Sequence, residues 1–359
     1  MAMRGDIELG INGQAMHCES NGAPITGAIC RSLLALAKGT TKCGQRIANW
    51  PGAVLTDAMP LRIAGGLHDL HRSGGEPALA PIYLGQICDQ AQIDAIICEV
   101  VERNDERLLA WLDGPPQTNE AGRSASFIAA LHWLASRVAP KFELNEIGSS
   151  AGMNLLISRY RYDVGGVVSG PGDAPVTIRP EWNGPPPPAD AFTIASVQGC
   201  DINPIDVGDD AAANRLMAYI WPEMPERFAR MEAGIAMIRK SGVDLVQADA
   251  ANWMDIRLPQ PQDAGTTRVL MHSIVWQYLP DEVQQRIDVS MTEAGSRATA
   301  EKPLAWISLE TNRATFRHEL KVRYWPGGSE AVILGEAHAH GSWVDWRRSG
   351  IDGQPTNFD

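Results

Sequence analysis

"FELNEIGSSAGMNLL", Phe142–Leu156, decides how this chain is read, because it fits two incompatible templates. Taken as Gly148-Ser149-Ser150-Ala151-Gly152, it is a G-x-S-x-G elbow with Ser150 as a hydrolase nucleophile. Taken as an acid ahead of a small-residue turn, Glu146-Ile147-Gly148 and then Gly152, it is the loop after the first strand of a nucleotide-binding α/β domain. The flanking sequence arbitrates.

Upstream, from residue 1 to about 137, apolar residues recur at helical spacing in "AICRSLLALAK", "PLRIAGGLHDL", "QIDAIICEVVERNDERLLAWL" and "SASFIAALHWLASRVA". The breaks "NWPGA", "RSGGEPA" and "DGPPQTNEAG" suit helix–helix connections, and no strand pattern precedes Phe142. A hydrolase elbow normally has several strands and an oxyanion loop before it, and neither is visible here. Asp249 or Asp281 followed by His338 or His340 completes a Ser–Asp–His order, but 43 Asp+Glu supply such an order by chance.

Downstream, short apolar runs alternate with helical segments, which predicts a mostly parallel sheet with crossover helices. Strands are expected at "KFELNEIG", "FTIASVQGCD", "VDLVQAD", "RVLMHSI" and "LAWISLE". "HELKVRYW" and "AVILGEAHAHG" follow, joined by "PGGS" as an antiparallel hairpin because the link is too short for a crossover helix. Helices are expected at "SSAGMNLLISRY", "AANRLMAYIWPEMPERFARMEAGIAMIRK" and "PDEVQQRIDVSMTEAG". The resulting expectation is an α/β protein. Residues 1–137 form an all-α N-terminal domain and residues 138–359 a Rossmann-like domain, with a Pro-rich insertion near 165–190.

The nucleotide reading makes further demands that the chain meets. The turn Gly148–Gly152 lets a ligand approach the backbone, and the next helix offers its N-terminal amides. An acid should end the second strand to hold ribose hydroxyls, and "VQGCDINP" supplies Asp201. It lies about fifty residues after the turn rather than the ~20 of a simple unit, and the Pro-rich insertion accounts for the gap. "LVQADAANW" supplies Asp249 at the end of the third strand.

Composition narrows the partners. At 359 residues the chain exceeds the usual single core, so two domains or one enlarged domain are expected. A net charge of -12, from 31 Lys+Arg against 43 Asp+Glu, leaves no basic stripe for nucleic acid or anionic membrane, so a small molecule is the expected partner. Cys18, Cys30, Cys43, Cys88, Cys98 and Cys200 show no C-x-x-C pair or zinc spacing and read as reduced, buried thiols. No run reaches signal-peptide or ~20-residue membrane-helix length, which predicts a cytoplasmic protein without a membrane partner.

"NEIGSSAG", "GCDINP", "VQADAANW" and "VLMHSIVWQYLPDE", in that order, resemble the class I S-adenosylmethionine-dependent methyltransferases over about residues 140–345. The last piece resembles the fourth-strand segment of small-molecule methyltransferases. That family closes its sheet with an antiparallel strand beside the fifth. Over its whole length the chain is also similar to the bacterial family known as domain of unknown function 2332. That resemblance is carried by "NWPGAVLTDAMPLRIAGGLHDL", "PPQTNEAGR", "IGSSAGMNLLISRYRYDVGG", "DINPIDV", "YIWPEMPERFARMEAGI" and "HAHGSWVDW". The methyltransferase resemblance implies S-adenosylmethionine as cofactor and methylation of a small molecule. Glu146 would sit near the methionine end, and Gly148, Ser150 and Gly152 would form the loop. Asp201 would hold the ribose, Asp249 and Ala250 would meet the adenine, and His272-Ser273 would flank the pocket. Ser150 departs from the family's glycine and is expected to hold the turn to less strained angles. A non-catalytic binding protein on the same fold and a Ser150 hydrolase remain the alternatives.

Methyl transfer needs alignment and desolvation more than particular side chains, so no catalytic residue is fixed; His272, Tyr278, His338 and His340 are candidates for a base. Asn119, Glu120 and Arg123 precede the helix leading into the first strand; they serve equally as helix caps or as pocket residues, together with Asn154 and Trp276. His338 and His340 are expected at alternate positions of a strand, on one face, and His68 and His71 on one helix face, but no ligand spacing argues for a metal. The expected pocket lies at the carboxyl ends of the strands, under the helical domain.

Overall fold

The computed structural model describes residues 5–347. The chain begins with helices α1 (Gly5–Ser20), α2 (Pro24–Leu36), α3 (Lys42–Ala48), α4 (Met59–Arg72), α5 (Ala80–Tyr83), α6 (Gln90–Leu109) and α7 (Ser124–Ala135). Then come β1 (Lys141–Ile147), β2 (Arg161–Val164), β3 (Val167–Ser169), β4 (Thr177–Ile178), β5 (Glu181–Asn183) and β6 (Thr193–Asp201). Helices α8 (Asp210–Ala218) and α9 (Pro225–Ser241), β7 (Asp244–Gln247), α10 (Ala250–Arg257), β8 (Thr267–Ser273) and α11 (Asp281–Ser296) continue the alternation. The last elements are β9 (Leu304–Thr311), β10 (His318–Trp325), β11 (Gly328–Ala337) and β12 (Trp343–Trp346). Among the described residues no helix is long and apolar enough to cross a membrane.

The chain divides into two compact units, Met1–Thr118 with Gly208–Glu232, and Asn119–Val207 with Ala233–Asp359. This differs from the expected break at 137/138 in two ways. Helix α7 belongs to the second unit, where Tyr162 donates to Ser124 Oγ (3.0 Å) and Trp133 meets Tyr324 edge-on. Helix α8 and the first turns of α9 belong to the first unit, because Ala218 and Tyr219 enter its core.

The first unit is helical, as its spacing predicts. Ile11, Cys30, Leu33, Ile63, Leu67, Ile97 and Val100 are buried in one cluster. Helix starts follow local chemistry: Thr41 accepts from Gly44 N, Asp89 from Gln92 N and Asp209 from Ala211 N. His68 and His71 do share a face of α4, stacked with Tyr83, and burial lowers His68 to about 4. Cys88 is exposed and Cys98 half-buried, so the expectation of buried thiols fails at these two.

The second unit is built on a nine-stranded sheet ordered β5-β12-β11-β10-β9-β8-β1-β6-β7. From β7 to β9 all pairings are parallel, and the chain runs outward from β1 first through β6 and β7, then through β8 and β9. The connection order therefore reverses between β1 and β8, the kind of switch point where open α/β sheets bind ligands. Every residue of β8 is buried, as expected of a central parallel strand covered on both faces. Beyond β9 the sheet turns antiparallel through β10, β11 and β12. The antiparallel strand beside β9 is thus the next one in the chain, reached by a short turn.

One expectation changes here. "SSAGMNLLISRY" is not an α-helix; Met153–Arg159 forms a 3-10 helix that leads directly into β2. The Pro-rich insertion contributes strands β3 and β4 to a small sheet with β2, and β5, which pairs with β12.

Candidate functional site

The loop after β1 takes left-handed backbone angles at Gly148 (φ 70°), Ser150 (φ 52°) and Gly152 (φ 85°). The expectation that Ser150 keeps the turn to unstrained angles is overturned. The conformation is imposed from both sides, because Ser150 N donates to Asp201 Oδ2 (2.8 Å) and Ile205 N donates to Ser150 O (3.1 Å). A serine in this region carries a strain that its surroundings must repay.

The loop amides are largely used within the chain. Ser149 N donates to Cys200 O, Gly152 N to Ser149 O, and Met153 N to Asn119 Oδ1 (2.7 Å). A helix N-terminus offering free amides is therefore absent at this position, and the segment beginning at Asn119 supplies the cap. Glu120 caps its own turn by accepting from Gly122 N (3.1 Å).

Behind the loop, Glu146 is 1 % exposed. Its Oε1 accepts from Asn154 Nδ2 (2.7 Å), whereas Oε2 has no hydrogen-bond partner among the described residues. Burial pushes its carboxyl up from 4.5 to about 7, against the opposing pull of Asn154, Ser149 and the Arg123 charge. Asn154 Oδ1 and Ser150 Oγ are also buried without partners. The Ser150 hydroxyl thus lacks the hydrogen-bonded base that a serine nucleophile requires.

Asp201 ends β6 one position beyond the Ile147–Cys200 pair. Its two oxygens accept from Ser150 N and Asn203 N (each 2.8 Å), which fixes the carboxylate and leaves each oxygen a further lone pair. Beside it Ile202 is 72 % exposed, an apolar side chain at a strand end that the sequence reading missed. Asp249 accepts from Asn252 N (3.0 Å) and caps α10, whose first residue is the buried Ala250. Asp249 thus serves as the N-cap of that helix.

At the end of β8, His272 is 1 % exposed with both ring nitrogens engaged. It pairs in register with Ser308, so its same-face neighbours on β9 are Trp306 and Glu310. Trp306 Nε1 donates to His272 Nε2 (2.9 Å), and an indole can only donate, so in neutral His272 the proton sits on Nδ1, facing Glu310 Oε1 at 2.7 Å. A ring committed at both nitrogens is not available as the candidate base. Trp276 stacks on it at 5.0 Å. The next residue but one, Ile274, has φ 51°, a left-handed conformation that a β-branched side chain rarely adopts.

Arg123 is brought to the same edge: its Nε donates to Ala339 O (2.7 Å) and its Nη1 lies 3.4 Å from Ser273 O. His338 and His340 do not lie on one face of a strand, because β11 ends at Ala337. They form a turn instead, with His340 N donating to His338 Nδ1 and Gly341 N to His338 O. Tyr278 is 71 % exposed on a short turn after β8. Among the described residues no group of three or more His, Cys, Asp or Glu is arranged to hold a metal ion.

The structure therefore gathers Asn119, Arg123, Glu146, Gly148, Ser150, Asn154 and Asp201 at the carboxyl end of β1 and its neighbours. Glu310 was not anticipated, although it is an acid ending a strand, the signal that selected Asp201. Compared with known proteins, residues 10–346 match the family described as "Uncharacterized protein conserved in bacteria (DUF2332)", and the chain belongs to that family. No curated protein and no solved structure matches it.

Proposed function

We propose that this family member binds S-adenosylmethionine at the carboxyl ends of β1, β6 and β7 and methylates a small molecule. The observation that carries the reading is Asp201, an oriented carboxylate at the end of the strand beside β1, with the exposed Ile202 next to it. A carboxylate with spare lone pairs suits ribose hydroxyls, and an exposed apolar side chain suits the face of a base. The orphaned Glu146 Oε2, Asn154 Oδ1 and Ser150 Oγ fit a polar ligand part at the loop, since buried polar atoms without partners are costly. With the amides of Ser149, Ser150, Gly152 and Met153 already bonded, side chains carry more of the hold on the amino-acid end. When bound, the cofactor supplies an electrophilic methyl group on a sulfonium; the chain's part is orientation and exclusion of water.

Calorimetric titration with S-adenosylhomocysteine tests this: a saturable heat is expected, and none from a folded sample sinks the proposal. Asp201→Ala should weaken binding by roughly 10- to 100-fold, the usual worth of hydrogen bonds to a charged acceptor. Saturable binding without methyl transfer to any amine or hydroxyl compound would favour a binding protein over an enzyme.

A further inference from the structure

Glu310, the last residue but one of β9, has its two oxygens in different situations. Oε1 faces the His272 ring nitrogen Nδ1 at 2.7 Å and accepts from Val275 N at 3.1 Å, so the carboxylate cannot turn freely. Oε2 is buried and has no hydrogen-bond partner. A buried carboxylate oxygen left unpaired is expensive, and the local structure holds it in that state rather than relieving it.

Aromatic residues stand on the segments next to that carboxylate. Trp276 and Trp306 pack 5.6 Å apart beside His272, and Tyr278 is exposed on the connection leaving β8. Phe316 is 81 % exposed on the short connection leaving β9, and it is held there at a left-handed φ of 58°. Phe316 is held outward by a backbone conformation that its own side chain disfavours, which is a local strain. His318 pairs with Thr311 Oγ1 at 3.0 Å, and burial lowers its pKa, so it adds no competing cation near neutral pH.

The geometry points to a subsite for an organic ammonium ion at the carboxyl edge of β8 and β9, with Glu310 Oε2 as its acceptor and the aromatic side chains of the two connections as its apolar wall. An anchored carboxylate supplies charge and direction, and aromatic faces attract cations through their quadrupoles. The subsite stands independently of the cofactor; that its amine is the methyl acceptor rests on the proposed function. On that reading Glu310 Oε2 takes the ammonium proton and frees the nitrogen lone pair. The N–C bond then forms as the sulfonium C–S bond breaks, its electron pair staying on sulfur.

The test is a pair of titrations of the full chain, one with phenethylamine and one with phenylacetate, run beside S-adenosylhomocysteine. Saturable binding of phenethylamine is expected, with phenylacetate at least 10-fold weaker. Glu310→Gln should lose roughly 10- to 100-fold in amine affinity. Tyr278→Ala, a change at an exposed position that leaves the core untouched, should lose roughly 2- to 5-fold. Absence of phenethylamine binding by the unaltered chain, equal binding of phenylacetate, or unchanged affinity in both variants would overturn the subsite. Failure of S-adenosylhomocysteine alone to bind would instead overturn the proposed function and leave the ammonium subsite standing.

Discussion

Replacing Glu146 by Gln is expected to abolish a loss of stability of about 3 kcal/mol that the unaltered chain suffers between pH 4.5 and pH 7. The free-energy scale follows from a carboxyl raised from 4.5 to about 7 in the folded state. Below pH 4.5 the group is protonated in both folded and unfolded chains. As pH rises toward 7 the unfolded chain gives up its proton first and is favoured by doing so, and above 7 the folded chain must ionise a carboxyl that is 1 % exposed. The stabilising contribution is therefore complete at acid pH and is lost by the time pH passes the folded value. Glutamine resembles the protonated acid and keeps an oxygen for Asn154 Nδ2. The measurement is the difference in urea midpoints between the two proteins from pH 4.5 to 8, which cancels other titrating groups. A difference that stays constant across that range would show that Glu146 does not hold its proton as described.

The parallel core was legible because each of its strands is a short apolar run closed by a turn or an acid. β1, β6, β7, β8 and β9 all fall where those runs are. β2 to β5 were not legible, since strands of two to four residues just before and inside a Pro-rich stretch carry no period to read. The unit boundaries were hidden for another reason. The last of the three crosses from one unit to the other within α9, between Glu232 and Ala233, where the composition does not change. At the site, position along the strands found Glu146, Asp201 and Asp249. It did not find that Asn119 caps Met153 across 34 residues, because a cap distant in sequence leaves no local signature. His272 was found but misread: its neighbours Trp306 and Glu310 come from register on another strand, and register is invisible until the sheet is paired.

Gly148→Ala is expected to destabilise the second unit by about 3 kcal/mol, and the reason revises what that glycine is for. Its φ of 70° lies in the left-handed region, where a Cβ costs roughly 1–2 kcal/mol. The added Cβ would also stand 2.3 Å from Val275 Cγ2 and 2.8 Å from Val275 Cβ, an overlap that adds roughly 1–3 kcal/mol of overpacking. The glycine thus admits the Val275 side chain, just beyond β8, to the backbone after β1. It locks the loop after β1 to the segment carrying Ile274 and Trp276. A double-mutant cycle separates the two contributions. Val275→Ala in the Gly148→Ala background removes the overlapping Cγ atoms and should restore part of the stability, leaving the backbone cost behind. A single variant costing under about 1 kcal/mol would refute both contributions, and a cycle with no coupling between the two positions would refute the contact. Because Val275 N also donates to Glu310, the same substitution should shift the carboxylate at the end of β9, coupling the loop behind Asp201 to the opposite side of the switch point.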